Sequence, residues 1–224
     1  MRNLAAVIFV ASFSTSLMAQ GRGVLRGTVL DESGHPVPHA LVYVDRMRGA
    51  SIITRLDMMS GSNGTFQFKN LEMGAYQVWA QKLESGYRST YNDAFNPNAL
   101  VLCTLTSEHP EAQASVQFAP RAAVITGWIT DVRTGEHLSP HINVAAAAHP
   151  TWVYEHSAAG ARFKFRVLIP SDTPVILELW ADGHKHWFYE NSEDLLHASA
   201  LMLHPNQVLD LNVTVEPDGE SSRP

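Results

Sequence analysis

The stretch over residues 64–80 constrains the fold most, because it reads as two alternating strands joined by a short turn. Phe66 and Phe68 point to one side of the first strand, and Tyr76 and Val78 repeat that spacing in the second. One buried face therefore runs across both strands. We expect this face to pack against Leu25, Val29, Val42 and Val116, which alternate in the same way.

The second half of the chain repeats the first. Residues 26–31 (RGTVLD) return as 126–131 (TGWITD), and residues 76–80 (YQVWA) return as 177–181 (LELWA). A repeat unit of this length is too long for a solenoid and suits tandem sandwiches of about seven short strands each. Gly27 and Gly127 each lie between inward apolar residues, which indicates either close approach of another backbone or a β-bulge.

These patterns predict an all-β chain of two tandem β-sandwich domains, residues 21–120 and 121–217, followed by a disordered tail at 218–224. Residues 190–197 alone have a helical pattern. Residues 1–20 resemble a secretory signal peptide, because Arg2 precedes an apolar run too short to span a bilayer. We therefore expect an exported protein, periplasmic or extracellular, with no membrane span after signal cleavage.

The net charge of −6 is spread along the chain, which argues against nucleic acid or an anionic membrane as a partner. Cys103 is the single cysteine and can form no internal disulfide. We expect it to be a small buried hydrophobic residue in an apolar strand.

The residues of the first half carry a family resemblance. The order G-x-V-x-D-x-x-G-x-P-V-P-x-A-x-V-x-V begins at Gly27, and N-G-x-F-x-F-x-x-L-x-x-G-x-Y-x-V-x-A begins at Asn63. Together they resemble the carboxypeptidase regulatory-like domain, a seven-stranded Greek-key sandwich of the prealbumin-like (transthyretin-like) and starch-binding-like group. The second copy departs from this pattern at the turns in residues 135–140 and 171–174. The resemblance implies an accessory or structural module, sometimes carbohydrate-binding, with no catalytic residues to carry over. We expect no cofactor.

The sequence indicates no enzyme. None of the eleven His is followed three residues later by Glu, and neither His-Glu-x-x-His nor Gly-x-Ser-x-Gly occurs. His184 and His186 would share a face of a strand, which leaves a metal site open as an alternative. The competing interpretation is that both are exposed polar residues at a strand end.

Three tryptophans suggest a second kind of site. Trp79, Trp180 and Trp128 alternate out of phase with the inward residues, so each should lie on the outer face of its strand. Outward aromatic rings either stack on sugar rings or pack against a loop or the neighbouring domain. We expect at least one of Trp79 and Trp180 to be covered.

The sequence as a whole predicts a secreted, non-catalytic structural or binding module of the cell envelope or exterior. The expected partner is a cell-surface glycan or an envelope protein. A carbohydrate-binding accessory protein using its Trp residues and a small metal-binding protein using its His residues are the two alternatives.

Overall fold

The computed structural model describes residues 22–219 except 92, 94, 97–99, 149–152, 159–163, 193 and 196, with the backbone alone for 153–158 and 191. The predicted signal segment and residues 220–224 of the predicted tail lie outside the described residues. In the described part, no helix is long and apolar enough to cross a membrane.

The first half of the chain forms seven strands in two sheets. A three-stranded sheet has the order β4-β1-β7, and a four-stranded sheet has the order β3-β2-β5-β6. The strands are β1 (Gly23–Leu30), β2 (Leu41–Arg48), β3 (Ser51–Met59), β4 (Thr65–Leu71), β5 (Gly74–Gln81), β6 (Val101–Leu105) and β7 (Glu111–Gln117).

The second half repeats these pairings. β8 pairs antiparallel with β12 and parallel with β15, as β1 does with β4 and β7, and β10 lies between β11 and β13 as β2 lies between β3 and β5. The β13 strand also pairs with β14, and β9 pairs with β16. The strands are β8 (Ala123–Gly127), β9 (Ile129–Asp131), β10 (His141–Ala146), β11 (Val153–Ala158), β12 (Phe165–Ile169), β13 (Val175–Trp180), β14 (Trp187–Phe188), β15 (Val208–Asp210) and β16 (Val213–Val215).

Inward residues of both sheets form the core, as their alternation requires. Phe66, Phe68, Tyr76 and Val78 are buried in one apolar cluster. That cluster also contains Leu25, Val29, Val42 and Val116, so the predicted core is confirmed. A second cluster takes its residues from β8 to β16, with Ile125 and Phe165 among the fully buried side chains.

Gly27 and Gly127 lie where another backbone comes close. A Cβ added to Gly27 would lie 2.1 Å from the Ala114 carbonyl oxygen, and one added to Gly127 would lie 1.8 Å from the Leu211 carbonyl oxygen. Only glycine leaves room for β1 and β7 to pair at this spacing. Of the two alternatives that the sequence left open, close approach of a backbone is the one observed at both positions.

The two cores are joined by a short junction and a loop. The Tyr87 ring stacks on Phe118 at 4.8 Å, and the Ala122 N–H donates to the Gly86 carbonyl at 2.8 Å. Phe95, from the loop before β6, packs against the second core cluster. The division at residues 120 and 121 stays a prediction.

The helix predicted over residues 190–197 is wrong for the described residues. A single 3-10 turn spans Tyr189–Asn191, and Glu190 has a left-handed φ of 61° that interrupts any right-handed helix. Residues 22–120 and 121–219 are called the first and the second sandwich below. Their described parts consist of strands and turns, with 3-10 turns at Leu83–Ser85 and Tyr189–Asn191.

Candidate functional site

The outer face of the four-stranded sheet in the first sandwich carries an aromatic pair. Tyr43 of β2 lies directly opposite Trp79 of β5, and their rings stack at 3.8 Å with an interplanar angle of 11°. Directly opposite residues of antiparallel strands have close side chains, so this contact follows from the register.

A buried ion pair fixes this aromatic pair in place. Asp45 is 0% exposed and accepts hydrogen bonds from Arg55 Nε at 2.6 Å, Arg55 Nη2 at 2.9 Å and Trp79 Nε1 at 2.8 Å. Three charge-assisted bonds satisfy a carboxylate that would otherwise be costly to bury. The hydrogen bonds to Asp45 also raise the pKa of the Arg55 guanidinium.

Arg55 and Tyr91 cover the Trp79 ring. The Arg55 guanidinium carbon lies 5.0 Å from the centroid of the Trp79 ring, and the Tyr91 ring lies 5.0 Å away at a 50° tilt. Trp79 is therefore only 6% exposed. The structure does not support Trp79 as a sugar platform, because stacking on a sugar needs an open ring face.

The outer face of the second sandwich carries a related but different cluster. Trp180 of β13 lies opposite His141 of β10, and its half-buried ring lies between two imidazoles. The His141 centroid is 5.1 Å away at 16°, and the His186 centroid is 5.1 Å away at 8°. Trp180 is therefore partly covered, with polar groups on both sides.

Each of the two imidazoles beside Trp180 contacts a carboxylate: His186 contacts Glu178, and His141 contacts Asp182. One carboxylate oxygen of Glu178 accepts from His186 Nδ1 at 2.6 Å, and the second accepts from Asn143 Nδ2 at 2.7 Å. Asp182 Oδ1 lies 3.2 Å from His141 Nε2. The arrangement provides amide, imidazole and carboxylate groups around one indole, which are the groups that bind hydroxyl-rich ligands.

Trp128 lies elsewhere, between β8 and β9, which belong to the other side of the second sandwich. Its half-buried ring stacks on His137 at 4.2 Å, and its backbone N–H donates to Asn212 Oδ1 at 3.2 Å. Trp128 therefore forms no continuous platform with Trp180.

The predicted metal residues are held by different carboxylates. His184 Nε2 lies 2.9 Å from Asp131 Oδ2, and its Nδ1 lies 2.9 Å from the Asp182 carbonyl oxygen, whereas His186 contacts Glu178. Gly183, with a φ of 73°, turns the chain just before His184, so the pair does not form the regular strand that the prediction assumed. Among the described residues, no group of three or more His, Cys, Asp or Glu is arranged to hold a metal ion.

Asp131 and His184 form a structural ion pair. The His184 hydrogen bond, followed by the backbone N–H groups of Thr134 and Arg133, lowers the pKa of Asp131 to about 2. The hydrogen bond to Asp131 in turn raises the pKa of His184. Since both ring nitrogens face oxygen acceptors, a protonated imidazole satisfies both and leaves no nitrogen lone pair for a metal.

The residues that the sequence analysis missed are Asp45 and Arg55. Alternation alone places both on an outer strand face, where charged residues are normally exposed. The residue types gave no signal for this contact, because Trp79 and Asp45 meet only through the pairing of separate strands, which alternation does not encode.

Comparisons with known proteins agree with this description for the first sandwich. The family model for the carboxypeptidase regulatory-like domain matches residues 24–99. No curated protein matches this chain.

Several solved structures show weak similarity. A streptococcal ancillary pilin is 13% identical, with 89% of this chain and 63% of that chain covered and a TM-score of 0.39. The minor pilin GBS52 of Streptococcus agalactiae is 10% identical, with 90% and 99% covered and a TM-score of 0.36. A DUF3823 family protein from Bacteroides uniformis is 10% identical, with 82% and 100% covered and a TM-score of 0.36.

The similarity to the Bacillus anthracis TIE protein spans only 34% of that protein, at 12% identity, 88% coverage of this chain and a TM-score of 0.36. The family match is the specific finding, and it covers the part of the chain that forms β1 to β5. Over residues 24–99 this chain is therefore similar to the carboxypeptidase regulatory-like domain.

Proposed function

We propose that this chain is an exported, non-catalytic structural or binding module of the cell envelope or exterior. The observation that carries the proposal is that its buried carboxylates form hydrogen bonds that hold the fold together. Asp45, Asp93 and Asp131 are each at most 8% exposed, and each accepts hydrogen bonds from groups of the same chain.

Asp93 illustrates this use. Its Oδ1 accepts the Phe95 N–H at 3.1 Å and lies 3.6 Å from Arg88 Nη2. Burial raises the pKa of Asp93, and the nearby Arg88 charge opposes that rise. The contact holds the loop whose Phe95 ring packs on the second core. A catalytic acid or base needs a proton or lone pair within reach of a substrate, whereas this carboxylate is directed at its own loop.

An envelope-binding assay tests the proposal. The purified protein is incubated with an envelope fraction, sedimented and quantified, before and after treatment of that fraction with protease or with periodate. We expect retention that one of the two treatments abolishes, which assigns the partner as a protein or a glycan. Absence of retention on every fraction would contradict a role as an envelope-binding module.

Carbohydrate binding is the second candidate, and the Trp180 cluster favours it. Trp180 is half-buried, with Asn143, Glu178, His141 and His186 around it. Because the imidazoles occupy positions against the ring, we expect Trp180→Ala to lower the melting temperature and to leave retention on a glycan array unchanged. Loss of glycan retention at unaltered melting temperature would place the carbohydrate function first.

Metal binding by the second-domain histidines is tested by titration calorimetry with zinc and copper. Since His184 is committed to Asp131 and His186 to Glu178, we expect no heat beyond dilution for zinc at neutral pH. A saturable heat that His184→Gln removes would restore the metal-binding alternative.

A further inference from the structure

The β3 strand is a long, exposed edge of the first sandwich. It is the terminal strand of its sheet and pairs with β2, and in the described part of the chain no strand pairs with its other side. Eight of its nine residues are exposed, including four large apolar ones. Ile52 is 38%, Ile53 40%, Leu56 42% and Met59 51% exposed. An edge of this kind is a template for another strand unless it is blocked.

The sequence of β3 is complementary to itself when two copies run antiparallel. Residues directly opposite each other in antiparallel strands point to the same face of the sheet. A two-fold axis perpendicular to the sheet keeps each residue on its face, so the axis must pass through a residue and not between two residues. With the axis at Leu56, Arg55 of each copy faces Asp57 of the other, and Leu56 faces Leu56. This register forms two opposite-charge pairs around one apolar contact.

Neighbouring registers are disfavoured by charge. An axis at Arg55 places two guanidinium groups opposite each other, and an axis at Asp57 does the same with two carboxylates. The β2–β3 register shift near Ile53 ends the regular part of the strand, so residues 54–59 remain for continuous pairing. The register centred on Leu56 pairs residues 54–58 of the two copies, which all lie within that segment.

Both charged partners are available. Arg55 donates to Asp45 through Nε and Nη2, which leaves the Nη1 protons for a second acceptor, and its side chain is 42% exposed. Asp57 is exposed and has no ion pair within the described part of the chain. A carboxylate from another copy can therefore approach Arg55 without breaking the buried pair.

We propose that two copies of this chain associate through antiparallel pairing of their β3 strands, centred on Leu56. The two four-stranded sheets then form one continuous eight-stranded sheet. Arg55 of each copy binds Asp57 of the other, and the Leu56 side chains meet on the axis.

Size-exclusion chromatography with light scattering measures whether two copies associate. A charge-reversal variant on β3 tests whether this strand forms the interface. We expect the purified protein to elute as a dimer at micromolar concentration. Asp57→Lys replaces two attractive pairs by two repulsive ones and should weaken the dimer about tenfold or more. Leu102→Lys is the matched control, because Leu102 is 67% exposed on β6, the opposite edge strand of the same sheet, and this variant should remain dimeric.

Disulfide trapping tests the register in a Cys103→Ser background. Opposed Cα atoms of antiparallel strands are about 4.5–5.5 Å apart, which allows a disulfide, so Leu56→Cys should cross-link to itself on oxidation. The Thr54 pair would be separated by about 13 Å along the strands, so Thr54→Cys should not cross-link.

Three results would overturn the proposal: a monomer at every concentration tested, a dimer lost in Leu102→Lys but kept in Asp57→Lys, or equal trapping of the two cysteine variants. Circular dichroism of each variant separates loss of association from loss of folding.

Discussion

The substitution Gly27→Ala tests the packing of the first sandwich most directly. The added methyl carbon would lie 2.1 Å from the Ala114 carbonyl oxygen of β7 and 2.3 Å from the Phe66 ring. A carbon and a carbonyl oxygen need about 3.3 Å, so β1 and β7 must move apart by roughly 1 Å.

The expected cost combines two effects. Overpacking a closely packed site costs about 1–3 kcal/mol, and each backbone hydrogen bond that the movement breaks adds about 1 kcal/mol. The β1–β7 pairing runs over Val24–Leu30, so the movement affects more than one bond. We therefore expect Gly27→Ala to lower the free energy of unfolding by about 3–5 kcal/mol, a large part of a typical domain stability of about 5–15 kcal/mol.

Urea unfolding followed by circular dichroism measures this change, and two other glycines serve as matched controls. Gly34 has a φ of 83° with nothing near its added Cβ, so Gly34→Ala should cost about 1–2 kcal/mol of backbone strain alone. Gly219 has open space and no positive φ, so Gly219→Ala should be nearly neutral. If Gly27→Ala were as stable as Gly219→Ala, the assigned contact of β1 with β7 and β4 would be wrong.

Three further predictions concern single side chains. Asp45→Asn should destabilise the protein by about 2 kcal/mol in urea unfolding, because it removes the charge-assisted bonds from Arg55 and Trp79 to a buried carboxylate while the Arg55 guanidinium stays partly solvated. His184→Gln should lower the melting temperature most below about pH 6.5. The pKa of His184 is raised in the folded state, so the stabilisation from its protonated form is lost as the pH rises through that pKa. The stabilisation from the Asp131 carboxylate is lost only as the pH falls from 3.8 towards about 2. Melting curves that differ equally at pH 5.5 and pH 9 would contradict the ion pair. Cys103, 9% exposed and with its thiol pKa raised by burial, should react with iodoacetamide only when urea unfolds the protein, as mass spectrometry can show.

Alternation and glycine spacing predicted much of the first sandwich. Phe66 and Phe68 are buried because a period of two fixes which face points inward, and that property is local to the strand. Gly27 could be singled out because glycine inside a strand is costly unless something lies close to it. Both signals are present in the order of the residues themselves.

The outer faces could not be predicted in the same way. Alternation correctly placed Trp79 away from the core, but its cover consists of Arg55 from β3 and Tyr91 from a later loop. Which side chains meet on an outer face depends on the pairing of separate strands, and no local period encodes that pairing. His184 was placed on a strand because nothing in the residue types revealed that it would reach Asp131, which lies far earlier in the chain.

The outer faces of the two four-stranded sheets differ in how much of their tryptophan is covered, although their strands pair in the same way. In the first sandwich Asp45 of β2 is neutralised by a bidentate guanidinium, and Trp79 is 6% exposed.

In the second sandwich, Asn143 of β10 occupies the position that Asp45 has in β2. The carboxylate of this face comes instead from Glu178 of β13, which lies opposite Asn143. Its partners are an amide and the imidazole of His186, whose side chain is 51% exposed. Two parallel guanidinium bonds to the fully buried Asp45 fix its geometry more strongly than the one imidazole bond to the partly exposed Glu178 does, because a bidentate pair also fixes the orientation of both groups. A ligand that displaces His186 from Trp180 would open a flat indole face at lower cost than any rearrangement around Trp79. If either outer face binds a ligand, the second sandwich is therefore the one to mutate first, and Trp180→Ala with Trp79→Phe as its control separates the two faces.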